Sequence, residues 1–334
     1  MTPLGIQPEA STRRSFRGDI EGMRALAVIL VLVGHAAPGL LPGGFVGVDV
    51  FFVISGFLIT GLLVEELDRT GRISLAGFYA RRARRLLPAA ALVGLVSLLL
   101  AVLFLPKVRW ADTGWDAVAS ALYAMNWRLA EQAVDYLAAD NSASILQHYW
   151  SLAVEEQFYL LWPLLLVVFA GGWRRPGHPR RRLRPMLLVA ALVVVAVPSF
   201  VWSVVLTQTD PARAYFVSTT RLWELALGGG LALAGARLRR MPAPVAAGVA
   251  WASVAAILAA AALLAPDHAF PGYLALLPTL GAAAVIAGGL VPGGAGPERV
   301  LGLRPLRATG AVSYSLYLWH WPVLVAAEAR FGDL

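Results

Sequence analysis

Runs of about 20 residues with almost no charge recur along the whole 334-residue chain, and no other feature restricts its fold as strongly. A helix of that length crosses the hydrocarbon core of a bilayer, and it can stand in lipid because its backbone hydrogen bonds are all internal. The runs lie at about 24–38, 45–64, 86–105, 149–170, 186–206, 214–236, 243–265, 270–291 and 308–328. They are continuous, with no polar residue at every second position, which excludes the strands of a membrane barrel. Composition agrees: 58% of residues are apolar and 14% charged, against about 25% charged in a soluble domain. The chain therefore reads as all-α, a polytopic integral-membrane bundle of about nine to ten spans. Cysteine is absent, which removes disulfides, zinc–thiolate sites, iron–sulfur clusters and a thiol nucleophile.

The net charge of +8 raises the question of nucleic-acid binding. The positions of the charges answer it. Of 28 basic residues, 22 fall within five clusters: Arg13–Arg24, Arg69–Arg85, Arg174–Arg184, Arg237–Arg240 and Arg299–Arg307. These occupy alternate loops, where the positive-inside rule puts the cytoplasm. The N-terminus is then cytoplasmic, with residues 1–15 as a disordered tail, and no nucleic-acid partner is expected. Arg13, Arg14 and Arg17 precede an apolar stretch, but no cleavage pattern follows and a second apolar run comes at once, so this is no secretory signal. Parity leaves both ends of 106–148 outside. Its aromatic residues, Trp110, Trp115, Tyr123, Trp127 and Tyr136, suit an external cap or a re-entrant segment, the alternative being a pair of poorly delimited spans. The Ala- and Gly-rich stretch 242–297 reads as tightly packed helices.

Polar groups inside apolar runs are costly and need a partner or a task. His35 lies in the first run, eleven residues beyond Arg24. Eleven helical steps close three turns with about 20° left over, so the two share one face about 16 Å apart. Asp49 opens the second run, which returns antiparallel, at a depth expected to match His35. A carboxylate there would fix the imidazole tautomer and raise its basicity. Glu155 and Glu156 follow His148-Tyr149-Trp150-Ser151, and adjacent helix positions diverge by about 100°, so one of the two is expected to face any given site. Arg221 and Glu224, at i and i+3, are expected to neutralise each other. His320, in Tyr317-Leu318-Trp319-His320-Trp321-Pro322, either lines the site or bonds a neighbour. The dense run Arg81-Arg82-Ala83-Arg84-Arg85 offers planar forks suited to phosphates, whether of a ligand or of lipid headgroups. No metal site is expected.

Several stretches together resemble one family. They are Phe16-Arg17-Gly18-Asp19-Ile20-Glu21-Gly22-Met23-Arg24 followed by Gly34-His35, then Gly44-Phe45-Val46-Gly47-Val48-Asp49-Val50-Phe51-Phe52, the Arg81–Pro88 run, Trp150-Ser151-Leu152-Ala153-Val154-Glu155-Glu156-Gln157-Phe158-Tyr159 and Ser313-Tyr314-Ser315-Leu316-Tyr317-Leu318-Trp319-His320. In this order they resemble the acyltransferase type 3 family, bacterial integral-membrane O-acyltransferases, over residues 16–334. The resemblance implies transfer of an acyl group, usually acetyl, from cytoplasmic acyl-CoA to a hydroxyl of an extracytoplasmic or lipid-linked carbohydrate or glycoside. It also implies a multi-pass protein of the bacterial cytoplasmic (inner) membrane. The family's Arg and His correspond to Arg24 and His35, its inner Arg pair to Arg82 and Arg85, and its span carboxylate to Glu155. Family members have a closing helix, and some add an external esterase-like domain. The chain stops at Leu334 before either, so the resemblance implies a fragment.

A mechanism follows from these residues as an expectation. Arg24, Arg82 and Arg85 hold the acyl-CoA phosphates, with no tightly bound cofactor. His35, oriented by Asp49 or Glu155, is the general base, and His148 and His320 line the acceptor side. Ser55 and Ser151 are the available hydroxyls should an acyl-enzyme form. The competing expectation is a non-enzymatic transporter of a lipid-linked sugar or small molecule. Such proteins show paired broken helices in two related halves, and this sequence has no such symmetry.

Overall fold

The computed structural model describes residues 17–133, 143–169, 185–265, 268–293 and 295–332. They are helices joined by turns, with no strand among the described residues. α1 (Gly18–Ala36) is followed by a tight turn, α2 (Gly47–Thr70) and α3 (Leu75–Phe104). Two short helices, α4 (Trp110–Ala121) and α5 (Met125–Gln132), precede α6 (Tyr149–Phe169). Then come α7 (Pro185–Thr209), α8 (Pro211–Phe216), α9 (Leu222–Leu238), α10 (Ala243–Leu263) and α11 (Leu276–Gly288). The last three are α12 (Glu298–Leu301), α13 (Arg304–Ala311) and α14 (Ser313–Phe331).

Among the described residues five helices are long and apolar enough to cross a bilayer: α2, α3, α6, α7 and α10. Their outer faces match that solvent. Leu92, Leu95 and Leu99 of α3 are exposed along one face, as are Val193, Val197 and Val201 of α7. Three- and four-residue steps put each set on a single stripe, which would be an unstable patch in water and is at home in lipid. The other expected spans differ in detail. The run at 214–236 is broken: α8 ends at Phe216, Ser218–Thr220 form a single 3₁₀ turn, and α9 starts at Leu222. Hydroxyl bonds compete with the helix here, since Thr220 Oγ1 donates to the Ala214 and Val217 carbonyls. The run at 270–291 yields only the 13 residues of α11, and 308–328 is split between α13 and α14 at Val312.

α2 is the centre of the bundle. Phe52 and Leu63 from it join Phe158, Trp162 and Leu166 of α6 and Leu188 of α7 in one buried cluster. Without a hydrophobic drive between helices in lipid, close packing of small residues does the work. Gly56 of α2 abuts the Leu225 carbonyl and Gly228 of α9 abuts the Val53 carbonyl, so neither position has room for a Cβ. This approach carries the start of α9 against the start of α2.

The stretch after α3 folds back as two short helices. α4 and α5, at 12 and 8 residues, are too short to cross. The turn between them puts Tyr123 on the wall of an internal cavity beside Arg82 and Glu156. Tyr123 has φ +53°, unusual for a residue with a side chain, and its carbonyl is held by Gln157 Nε2 at 2.8 Å. Tyr136 lies outside the described residues, as do Arg13, Arg14 and the Arg174–Arg184 cluster.

Candidate active site

Residues near the start of α1, Val48–Leu62 of α2, Arg82–Leu86 of α3, the first half of α6 and the beginning of α14 enclose a cavity of about 350 Å³. Arg24, Arg82 and Arg85 all stand on its wall, joined by Glu21, Glu155 and Glu156. Two of the arginines are already paired. Arg24 Nη1 lies 3.1 Å from Glu21 Oε2, one turn earlier on α1. Arg82 Nε donates to Glu156 Oε1 at 2.9 Å, and its guanidinium lies 3.3 Å from the centre of the Tyr159 ring. Arg85 is exposed and has no carboxylate partner among the described residues.

Both glutamates reach the cavity, although one was expected. The cavity follows the α2 and α3 sides of α6, so a 100° divergence keeps both on its wall: Glu156 meets Arg82 of α3, and Glu155 meets Ser55 of α2. Ser55 donates to Glu155 Oε1, which also accepts from Tyr159 Oη at 3.1 Å. Burial pushes the Tyr123 phenol up to about 12, with Glu156 adding to the rise, so at neutral pH it faces the cavity as a protonated donor.

His35 is not on this wall. It sits in the last turn of α1 at the opposite end from Arg24, exposed, with its Nδ1 3.0 Å from His320 Nε2. The two rings are nearly parallel, 13° apart with centroids 5.2 Å apart, and the Trp321 ring meets His35 edge-on at 4.8 Å. Trp321 is itself pinned through Nε1 to the Ser144 carbonyl at 2.7 Å. His148, expected to line the acceptor side, is only 3% exposed and stands behind His320 with ring centroids 5.9 Å apart. Burial, and then the His320 and His35 rings, hold its imidazole well below the ordinary range, hence neutral.

Tyr317 separates the cavity from the histidines. Its ring lines the cavity, and its hydroxyl bonds Ser151 Oγ at 2.6 Å and donates to the His148 carbonyl at 3.2 Å. Its own carbonyl lies 2.6 Å from His320 Nδ1.

Neither carboxylate expected to orient His35 does so. Glu155 belongs to the cavity below Tyr317. Asp49 bonds Arg221 Nη1 at 2.9 Å, and the same nitrogen bonds Glu224 Oε1 at 3.0 Å. All three are at most 1% exposed. The rings of Trp150, Tyr215 and Phe270 surround the guanidinium at 5.7, 5.2 and 5.0 Å. The α2–α9 packing causes this: it delivers a buried cation to Asp49, and a buried carboxylate takes a cation before an imidazole. Arg221 and Glu224 do pair, as their spacing indicated, but as part of a three-member cluster. Among the described residues no group of three or more histidines and carboxylates is arranged to hold a metal ion.

Comparison with known proteins adds a second line of information. The family model described as "Acyltransferase domain" matches residues 17–334. The chain is 32% identical over 321 residues to the "Peptidoglycan O-acetyltransferase OatA" of Listeria monocytogenes, covering 93% of this chain and 50% of the relative. It is 35% identical over 326 residues to the "O-acetyltransferase OatA" of Staphylococcus aureus strain NCTC 8325, covering 93% and 51%. With the "Putative peptidoglycan O-acetyltransferase YrhL" of Bacillus subtilis the identity is 34% over 318 residues, covering 92% and 48%. The chain thus spans about half the length of the curated relatives it matches. No solved structure matches it significantly.

Proposed function

The chain belongs to the acyltransferase-domain family, and from that membership we propose that it is a membrane O-acyltransferase moving an acetyl group from acyl-CoA to a hydroxyl of cell-wall carbohydrate. Peptidoglycan is the acceptor class named for its relatives. The observation that carries the reading is the division of polar groups by Tyr317: an arginine-lined cavity on one side, an exposed His35 paired with a half-buried His320 on the other. A donor with phosphates and an acceptor with hydroxyls suit those two sides respectively.

The donor phosphates lie against Arg85, with Arg24 and Arg82 exchanging part of their carboxylate pairing for phosphate. The Tyr123 phenol supplies a further donor. As the arm extends along α1, the Tyr317 ring moves aside and the thioester reaches His35. The His35 imidazole takes the proton of the acceptor hydroxyl as its oxygen bonds to the acyl carbon. The carbon–sulfur bond then breaks, and the leaving thiolate takes that proton back from the imidazolium. Glu155 and Ser55 shape the cavity, while Asp49 serves Arg221. The asymmetry of arginine between alternate loops supports a cytoplasmic N-terminus and about nine to ten spans in the bacterial cytoplasmic membrane, an arrangement with the arginines inside and His35 outside.

Membranes carrying the wild type are expected to move acetyl from acetyl-CoA to muropeptides. Those carrying His35→Ala should lose the reaction by a factor of about 10² or more. Unchanged turnover in that variant would remove His35 from the mechanism.

A further inference from the structure

We propose that His320 is a positioning residue that fixes the tautomer of His35, turning the exposed ring into a base at one defined nitrogen. The inference rests on the reading of His35 as the proton acceptor and goes beyond it by naming what sets its protonation state.

The argument is one of donors and acceptors. The Tyr317 carbonyl can only accept, so the 2.6 Å contact requires a proton on His320 Nδ1. A neutral imidazole has one N–H, which leaves His320 Nε2 as a lone pair. That nitrogen lies 3.0 Å from His35 Nδ1, and two lone pairs do not meet at such a distance. His35 Nδ1 therefore carries the proton and donates it. By the same rule His35 Nε2 is unprotonated, and it makes no hydrogen bond among the described residues. The backbone of α14 thus selects the free nitrogen of a ring on α1 through one intermediate imidazole.

Neutrality of the cluster supports the assignment. His148, packed against His320, is held neutral by burial, and an imidazolium in resting contact with two other rings would be unfavourable. The near-parallel, edge-to-edge pairing of His35 with His320 and the edge contact of Trp321 restrict rotation of the ring. When His35 Nε2 takes the hydroxyl proton, its Nδ1–H bond to His320 becomes charge-assisted and strengthens in the transition state.

The His320 variants discriminate by geometry. In His320→Gln a side-chain amide oxygen occupies the place of Nε2 and still accepts from His35. In His320→Asn the amide reaches only the Nδ1 position, and His320→Leu keeps bulk alone. The full chain in native membranes is assayed with acetyl-CoA and muropeptides, normalised to folded protein by gel filtration in detergent. The expected result is kcat lowered about 10²-fold in the Leu and Asn variants, with KM for acetyl-CoA changed by less than about twofold and Gln restored to within about tenfold of wild type. Should His320→Leu fail to accumulate, the Asn and Gln pair decides alone. Wild-type kcat in His320→Leu, or equal activity in Asn and Gln, overturns the tautomer role while leaving the acyltransferase reading intact. No transfer by the wild type, or full transfer by His35→Ala, overturns both.

Discussion

Arginine does two jobs in this site, and substitution separates them. Arg85 is exposed on the cavity wall without a carboxylate partner among the described residues. Arg85→Gln should therefore raise KM for acetyl-CoA about tenfold, the worth of one charge-assisted bond, while the thermal midpoint in detergent stays put. Arg82 is bound to Glu156 and stacked on Tyr159, so Arg82→Gln should lower that midpoint as well as affinity, because a half-buried carboxylate loses its cation. Arg221 is the extreme case: Arg221→Met leaves Asp49 and Glu224 buried together without a counter-charge. A loss of about 3–5 kcal/mol is expected, read as a large fall in the same midpoint and partly recovered by adding Asp49→Asn. The grouping of Arg24 with Arg82 and Arg85 was implied by the family resemblance, whereas the chain's local signals gave only the dense Arg81–Arg85 run and the alignment of Arg24 with His35 on one helix face. The partners of His35 and Asp49 could not. They come from positions 285 and 172 residues away, and a single sequence carries no register for contacts between distant helices.

At the level of helices, the α2–α9 contact sets the layout of the site. Gly56 and Gly228 let the two backbones touch, and this contact brings Arg221 to Asp49. Gly56→Leu would drive a side chain into the Leu225 carbonyl, where only backbone movement can relieve the clash. Little folded protein should be recovered from membranes, as measured by monodisperse yield in detergent. Apolar length identified the long helices but mislocated the interrupted ones. The break at Val217 and the split at Val312 depend on which backbone groups find side-chain or turn partners, and a hydropathy window averages over such competition. The aromatic residues of 106–148 did not indicate how α4 and α5 pack: their contacts with α3 and α6 bring Tyr123 beside Arg82 and Glu156.

For the whole molecule, the two-sided reading stands on topology. The chain has no cysteine, so single cysteines report sidedness directly. In intact cells an impermeant thiol reagent should label Leu40→Cys, exposed in the turn after α1, and spare Thr70→Cys, exposed at the end of α2, until the membrane is opened. The reverse pattern would invert the donor and acceptor sides. Hydrophobic run length and the asymmetry of arginine were enough to establish a helical membrane protein, because transfer energy and charge act on each segment independently, while the resemblance to a family singled out its candidate phosphate-binding groups. Which imidazole meets which, which carboxylate is withdrawn into an ion pair and what stands between the cavity and His35 depended on three-dimensional packing. Those outcomes arise where helices far apart in the chain compete for the same buried polar atoms, and the competition has no terms until the helices touch.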